Sequence, residues 1–155
     1  MEAILIIAVI GAVLGIVNTL RDFNRDRVKV RVSPAQAFFT YGPNIEDKPR
    51  LSVEITNMST FPVTINSSGL FFTNSKKHAQ FIDAVTADNV RPFPKRLGPR
   101  ESYSIYLDPS PHLTMEKFQH TKCIYVKTAC GETFIGKSPA LSQLIEESKQ
   151  YFGVN

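Results

Sequence analysis

The residues with the strongest chemical suggestion are Gly131-Glu132-Thr133-Phe134-Ile135-Gly136-Lys137-Ser138, which match the phosphate-binding pattern GxxxxGK[ST]. In that pattern backbone amides cradle phosphates, the lysine reaches the outer phosphates and the hydroxyl holds Mg²⁺. The match lies after a predicted strand and before a predicted helix, the context such a loop requires. Three arguments oppose it. Only 17 residues follow Ser138, too few for the parallel strands and Mg²⁺-holding aspartate of phosphoryl transfer. Pro139 drives Ser138 out of the α region, although this serine should open the helix. Thr133-Phe134-Ile135 is a bulky β-former rather than a loop that curls around an anion. The segment instead predicts a hairpin turning at Cys130-Gly131. A nucleotide-binding protein using this loop stays as an alternative, and it predicts ATP or GTP binding that Lys137→Ala abolishes.

Cys123, Cys130 and His120 invite a disulfide or a metal site. With 123–129 extended, the two cysteines lie ~20 Å apart at ~3.3 Å per residue, whereas a bridge needs Cα atoms within ~7 Å. Zinc needs a fourth ligand, and His78 and His112 show no paired spacing. Two free thiols are expected, with Cys130 the more exposed, and no metal or cofactor. No serine sits in a nucleophile elbow and no carboxylate pair stands beside a histidine, so the chain is expected not to be an enzyme. Asn57-Met58-Ser59 and Asn66-Ser67-Ser68 match glycosylation sequons, which matter only for a lumenal head in a eukaryote. Turn-forming side chains account for both.

The elements that position these residues begin with an apolar run. Ala3 to Leu20 holds eleven Ile, Leu and Val residues and nothing ionisable. Its 18 residues rise ~27 Å as a helix, enough to predict a transmembrane span. The Met1-Glu2 start and the charges directly after the run argue against a cleaved signal peptide. Arg21, Arg25, Arg27, Lys29 and Arg31 follow the run, offset only by Asp22 and Asp26. The positive-inside rule then places the C-terminal domain in the cytoplasm, with the span in a bacterial inner membrane. The same cations can rest on anionic headgroups, worth about 1 kcal/mol each. Ala8, Gly11, Ala12, Gly15 and Thr19 share one helical face, and Gly11 and Gly15 form a GxxxG through which helices can self-associate.

After the charged linker the hydrophobic period switches from 3.6 to 2. Val28–Val32, Leu51–Ile55 and Tyr103–Leu107 alternate cleanly. Further β-prone runs lie at Phe38–Tyr41, Val63–Ile65, Leu70–Thr73, Gln80–Val85, Cys123–Thr128 and Glu132–Gly136. Turn residues separate them at Tyr41–Asn44, Asn57–Ser59, Ser67–Gly69, Pro92–Pro99 and Cys130-Gly131. Pro111–Phe118 predicts a short helical turn. Ser138 reads as an N-cap and Pro139 as the first residue of a helix to about Phe152. The expected fold is mainly β: an antiparallel β-sandwich, immunoglobulin-like in the broad sense, with an N-terminal transmembrane helix and a short C-terminal helix. An antibody-type domain is excluded, because there is no tryptophan and the two cysteines lie close in sequence. The divisions are 1–21 (transmembrane helix), 22–27 (charged linker), 28–137 (β-sandwich) and 138–155 (C-terminal helix and tail).

A second basic cluster, Lys76, Lys77, Arg91, Lys95, Arg96 and Arg100, faces only Asp83 and Asp88 in its window. Arg91, Lys95 and Arg96 are candidates for contact with headgroups or another anionic partner, alongside the simpler role of a solvated loop edge that discourages sheet aggregation. No strand-borne aromatic pair accompanies them, which argues against nucleic acid.

Three blocks, LGIVNTLRDFNRDRVKVRV at Leu14–Val32, NMSTFPVTI at Asn57–Ile65 and TACGETFIGKSPAL at Thr128–Leu141, carry a resemblance. They are similar to a group of small bacterial proteins, often of prophage type, that join an N-terminal membrane anchor to a β-rich head. The resemblance implies that architecture and a bacterial source, and it carries no activity. The expected function is a membrane-anchored, non-catalytic interaction module whose partners are membrane lipid and another protein, or copies of itself through the helix. The alternative is a structural component of a phage or membrane-bound assembly.

Overall fold

The computed structural model describes residues 2–38, 40–41, 44–45, 50–73, 78–81, 85–86, 91–107 and 118–152. Helix α1 (Glu2–Arg25) comes first and is followed by eleven strands. These are β1 (Val30–Ala37), β2 (Thr40–Tyr41), β3 (Asn44–Ile45), β4 (Arg50–Asn57), β5 (Val63–Phe72), β6 (His78–Gln80), β7 (Val85–Thr86), β8 (Lys95–Leu97), β9 (Ser102–Leu107), β10 (Thr121–Thr128) and β11 (Thr133–Gly136). Helix α2 (Pro139–Phe152) closes the chain.

The helix at the N-terminus forms as the apolar run dictates, but the transmembrane expectation for residues 1–21 is overturned. Among the described residues no helix is long and apolar enough to cross a membrane. The uncharged run Ala3–Leu20 is 18 residues long, below the ~20 that a typical span uses.

The fold is mainly β, and every strand pairing among the described residues is antiparallel. One sheet runs β1-β4-β9-β7; the other runs β11-β10-β5-β6, with β8 also on β5; β2 and β3 form a separate ribbon. Period-2 alternation sends Val32, Val53, Ile55 and Ile105 of the first sheet into one core with Ile65, Leu70, Ile124 and Val126 of the second. This two-layer arrangement fits a β-sandwich. Ile55, Ile65, Leu70, Ile105 and Ile124 are fully buried.

Strand β5 runs through Ser67-Ser68-Gly69, where turn chemistry predicted a break. The buried Ser68 hydroxyl donates to the carbonyl of Tyr125 on β10 at 2.8 Å. At Gly69 any Cβ would collide with the carbonyl of Ala79 and the ring of Tyr125. The small residues therefore serve close strand approach, not reversal. The expected strand Gln80–Val85 divides between the sheets, with β6 on β5 and β7 on β9. The Pro92–Pro99 stretch, expected as turn, contains β8.

Helix α2 starts as its sequence predicts. Ser138 Oγ accepts from the Leu141 amide at 3.0 Å, an N-cap with Pro139 at the first helical position. Leu141 and Leu144 join the common core, and Ile145 packs against it. The helical turn expected at Pro111–Phe118 lies, except for Phe118, outside the described residues, as do Lys76, Lys77, Asp83, Asp88, His112 and the centre of the Tyr41–Asn44 turn.

Candidate interaction surfaces

Residues expected to interact divide among α1, the linker and the sheet edges. On α1, Ala8, Gly11, Ala12, Gly15 and Thr19 are all exposed, and nothing lies within 4 Å of a Cβ built on Gly11 or Gly15. The Thr19 hydroxyl turns back to the Gly15 carbonyl at 2.8 Å, so the helix itself satisfies it. The nine large apolar residues of the helix, from Ile6 to Leu20, are 52–70% exposed. At ~100° per residue they cover about half the circumference, and the small residues occupy the other half. Arg21, Arg25, Arg27, Lys29 and Arg31 are all exposed where α1 leads into β1.

The described members of the second basic cluster, Arg91, Lys95, Arg96 and Arg100, differ in their surroundings. Lys95 is half-buried, with its ammonium 4.9 Å from the Tyr103 ring centroid, a cation–π contact between the two sheets. Arg100 holds a left-handed turn at φ 62°, and its amide donates to the Asn57 carbonyl at 3.0 Å. The side chains of Arg91 and Arg96 are exposed to solvent, with the Arg96 backbone in β8 opposite Thr64.

That turn belongs to a polar knot which sequence reasoning took for a simple loop. Asn57 is fully buried, and its Nδ2 donates to the carbonyls of Phe61 at 2.8 Å, Leu97 at 3.2 Å and Gly98 at 2.9 Å. Its Oδ1 accepts from the Ser59 amide at 2.9 Å. The nitrogen a glycan would modify is thus inside the protein. Ser59, also buried, accepts from the Lys29 amide at 2.8 Å and ties the linker to the β4–β5 turn.

The GxxxxGKS residues are positioned against phosphate binding. Gly131 turns at φ 90°, 133–136 form an extended strand on β10, and the Ser138 hydroxyl caps α2. An extended strand sends successive amides to opposite sides and so does not curl them around an anion. Cys123 and Cys130 are free, the first buried on β10 and the second exposed in the turn with its Sγ 3.0 Å from Thr128 Oγ1. Burial pushes the Cys123 thiol above its ordinary value, against the lowering influence of Lys137 and Lys122. Among the described residues no group of three or more His, Cys, Asp or Glu is placed to hold a metal ion.

One surface escaped the sequence entirely. Val28, Val30, Val32, Met58, Phe134 and Ile135 line an open groove of about 470 Å³ between β1 and β11, with Lys29 and Arg31 on its rim. Ile135 is 58% exposed there. The adjacent Phe134-Ile135 pair was the available signal, since one member of an apolar pair on a strand must face away from the core.

No protein-family model matches the chain, and no curated protein matches it. Among solved structures, the X-ray structure of Northeast Structural Genomics Consortium target SoR45 is similar at 15% identity, covering 73% of this chain and 81% of that one, with a TM-score of 0.26. A likeness at that score carries no argument about fold or function.

Proposed function

We propose that this chain is a non-catalytic binding module that works at a lipid surface, its α1 in contact with lipid and its β-rich head presented to a partner protein. The observation that carries this reading is the exposure of nine large apolar side chains on α1. Full burial of such a side chain is worth ~1.5–3 kcal/mol, so shielding the exposed portions gains on the order of 10 kcal/mol, comparable to a domain's entire stability. Such a surface requires cover. The cations Arg21, Arg25 and Arg27, at the end of the apolar stretch, favour an anionic lipid surface as that cover.

The opposite, small-residue face of α1 supports a second reading, in which two copies pair through Gly11 and Gly15. The open space at both glycines favours it, because backbones approach most closely where side chains are missing.

Flotation of the full-length chain with phosphatidylcholine vesicles, with and without phosphatidylglycerol, tests the lipid reading. The chain is expected to float, more completely with phosphatidylglycerol, and the Arg21→Gln/Arg25→Gln/Arg27→Gln variant is expected to lose that increment. A chain that stays with the soluble fraction as a defined oligomer would assign the cover of α1 to other copies.

A further inference from the structure

The geometry points to the groove between β1 and β11 as a docking site for an extended peptide in which apolar and acidic residues alternate, added as a strand along β1. This deepens the binding-module reading and rests on it.

Among the described residues both strands are sheet edges: β1 pairs with β4 and β11 with β10. Their backbones can be phased. The Lys29 carbonyl accepts from Met58 at 2.7 Å and the Lys29 amide donates to Ser59 Oγ at 2.8 Å, so Lys29 turns its backbone toward the β4 side. In an antiparallel ladder that orientation alternates. Lys29, Arg31 and Ser33 therefore bond inward, while Val28, Val30 and Val32 aim N–H and C=O away from β4. Pro34 checks this phase, since it falls in the outward set, where a missing N–H costs the ladder nothing. On β11 the Thr128 amide donates to the Glu132 carbonyl at 2.9 Å, which by the same alternation aims the backbone of Ile135 outward from β10.

The edges are not left open along their whole length. Val32 and Gly136 are in close contact and shut one end. Beside that contact lies the cavity, lined by Val28, Val30, Phe134 and Ile135. An extended peptide laid on Val30 finds a donor and an acceptor in line, which is the requirement for strand addition.

Side-chain chemistry then selects the peptide. Beside Val30 and Val32, on the groove side, the incoming strand meets Met58, Phe134 and Ile135 and needs apolar residues. On its other face it runs beside Lys29 and Arg31, which are exposed and have no ion-pair partner among the described residues. Opposite charges on neighbouring strands are favourable and like charges are not, so residues on that face must be acidic. Arg27 continues the run of cations; the carboxylates in these segments are Asp22 and Asp26 in the linker and the exposed Glu54 on β4, opposite Ser33.

The test is fluorescence anisotropy of a labelled peptide of alternating valine and glutamate, titrated with full-length protein in nonionic detergent micelles. A valine–lysine peptide serves as the reversed-charge control. The valine–glutamate peptide is expected to bind, less tightly as salt rises, while the valine–lysine peptide does not. Lys29→Glu/Arg31→Glu should weaken binding by roughly tenfold or more, because like charges are then juxtaposed. Ile135→Asp should weaken it too, whereas Arg91→Glu/Arg96→Glu, outside the groove, should leave it unchanged. Melting curves confirm that each variant folds, and the exposed Lys29 and Arg31 keep the test valid if Ile135→Asp does not. Equal binding of both peptides, no binding of either, or an equal loss in the Arg91/Arg96 variant would overturn the proposal. No lipid vesicles are present, so this result stands apart from that of the flotation experiment. Binding of the peptide by a chain that fails to float would discard the lipid reading alone.

Discussion

Gly136 and Val32 meet where the two sheets converge: a Cβ on Gly136 would stand 2.6 Å from both Cγ1 and the carbonyl oxygen of Val32. Neither the carbonyl nor the Val32 Cβ, which would lie 2.9 Å away, can move aside without shifting β1. Gly136→Ala must therefore push β11 away from β1, an overpacking cost of about 1–3 kcal/mol. Urea unfolding should show that loss. Gly131 offers the contrast, because a Cβ there meets nothing within 4 Å but φ is 90°. Gly131→Ala should also destabilise, by about 1–2 kcal/mol, through the backbone alone.

Asn57 supplies a second prediction. Asn57→Ala would strand the carbonyls of Phe61, Leu97 and Gly98 and the amide of Ser59 in a buried site. An unsatisfied buried polar group costs about 1–3 kcal/mol, and several share this one partner. The expected loss is about 3 kcal/mol or more, large enough to lower the melting temperature well beyond the effect of an exposed substitution such as Thr60→Ala. Asn57→Ser, which keeps a short polar group but cannot span three carbonyls, should recover only part of it.

How far the sequence exposes this architecture depends on whether a feature is local. The alternating strands at Leu51–Ile55 and Tyr103–Leu107, the hairpin at Cys130-Gly131 and the Ser138-Pro139 helix start all follow from neighbouring residues, and each appears in the structure. Ser67-Ser68-Gly69 misleads because its small residues answer to Tyr125 on another strand. At Asn57 the expected turn is present, with its Oδ1 on the Ser59 amide, but the same side chain also reaches the carbonyls of Leu97 and Gly98, which neighbouring residues do not reveal. The groove was invisible for the same reason: it exists only because β1 and β11, from opposite ends of the domain, become neighbours. The apolar run at the N-terminus is legible as a helix, but among the described residues it does not make a membrane-crossing length.

Arg100 stores backbone strain. Its φ of 62° is left-handed, a region a non-glycine residue enters at a cost of roughly 1 kcal/mol. The conformation is held by its amide bond to Asn57 and by Glu101, whose amide donates to the Gly98 carbonyl at 3.2 Å and whose carboxylate accepts from the Gly98 amide. Glycine adopts that geometry without the Cβ clash. Arg100→Gly should accordingly raise stability by a few tenths to about 1 kcal/mol, with the gain offset in part by the greater entropy of an unfolded glycine. Arg100→Val, β-branched at a positive φ, should lower it. Thermal melts of the two variants against the parent give opposite signs if the strain is real.

Alkaline pH should weaken the fold through two buried groups on β10. Burial raises the Tyr125 hydroxyl above its ordinary 10.0, and burial raises the Cys123 thiol above 9.0 despite Lys137 and Lys122. A group whose pKa is higher folded than unfolded holds its proton longer in the native state, so native molecules bind more protons over that interval and stability falls with rising pH. The contribution is complete below pH 9.0 and is lost as pH climbs through the ordinary values of the thiol and then the phenol toward their raised native ones. Urea unfolding in steps from pH 8 upward should show stability level at first and then declining. Tyr125→Phe removes the phenol while keeping the ring against Phe71, at a centroid distance of 4.6 Å. That variant should therefore decline less steeply above pH 10.0 than the parent. An unchanged slope would mean that Tyr125 ionises as freely in the native protein as in the unfolded chain.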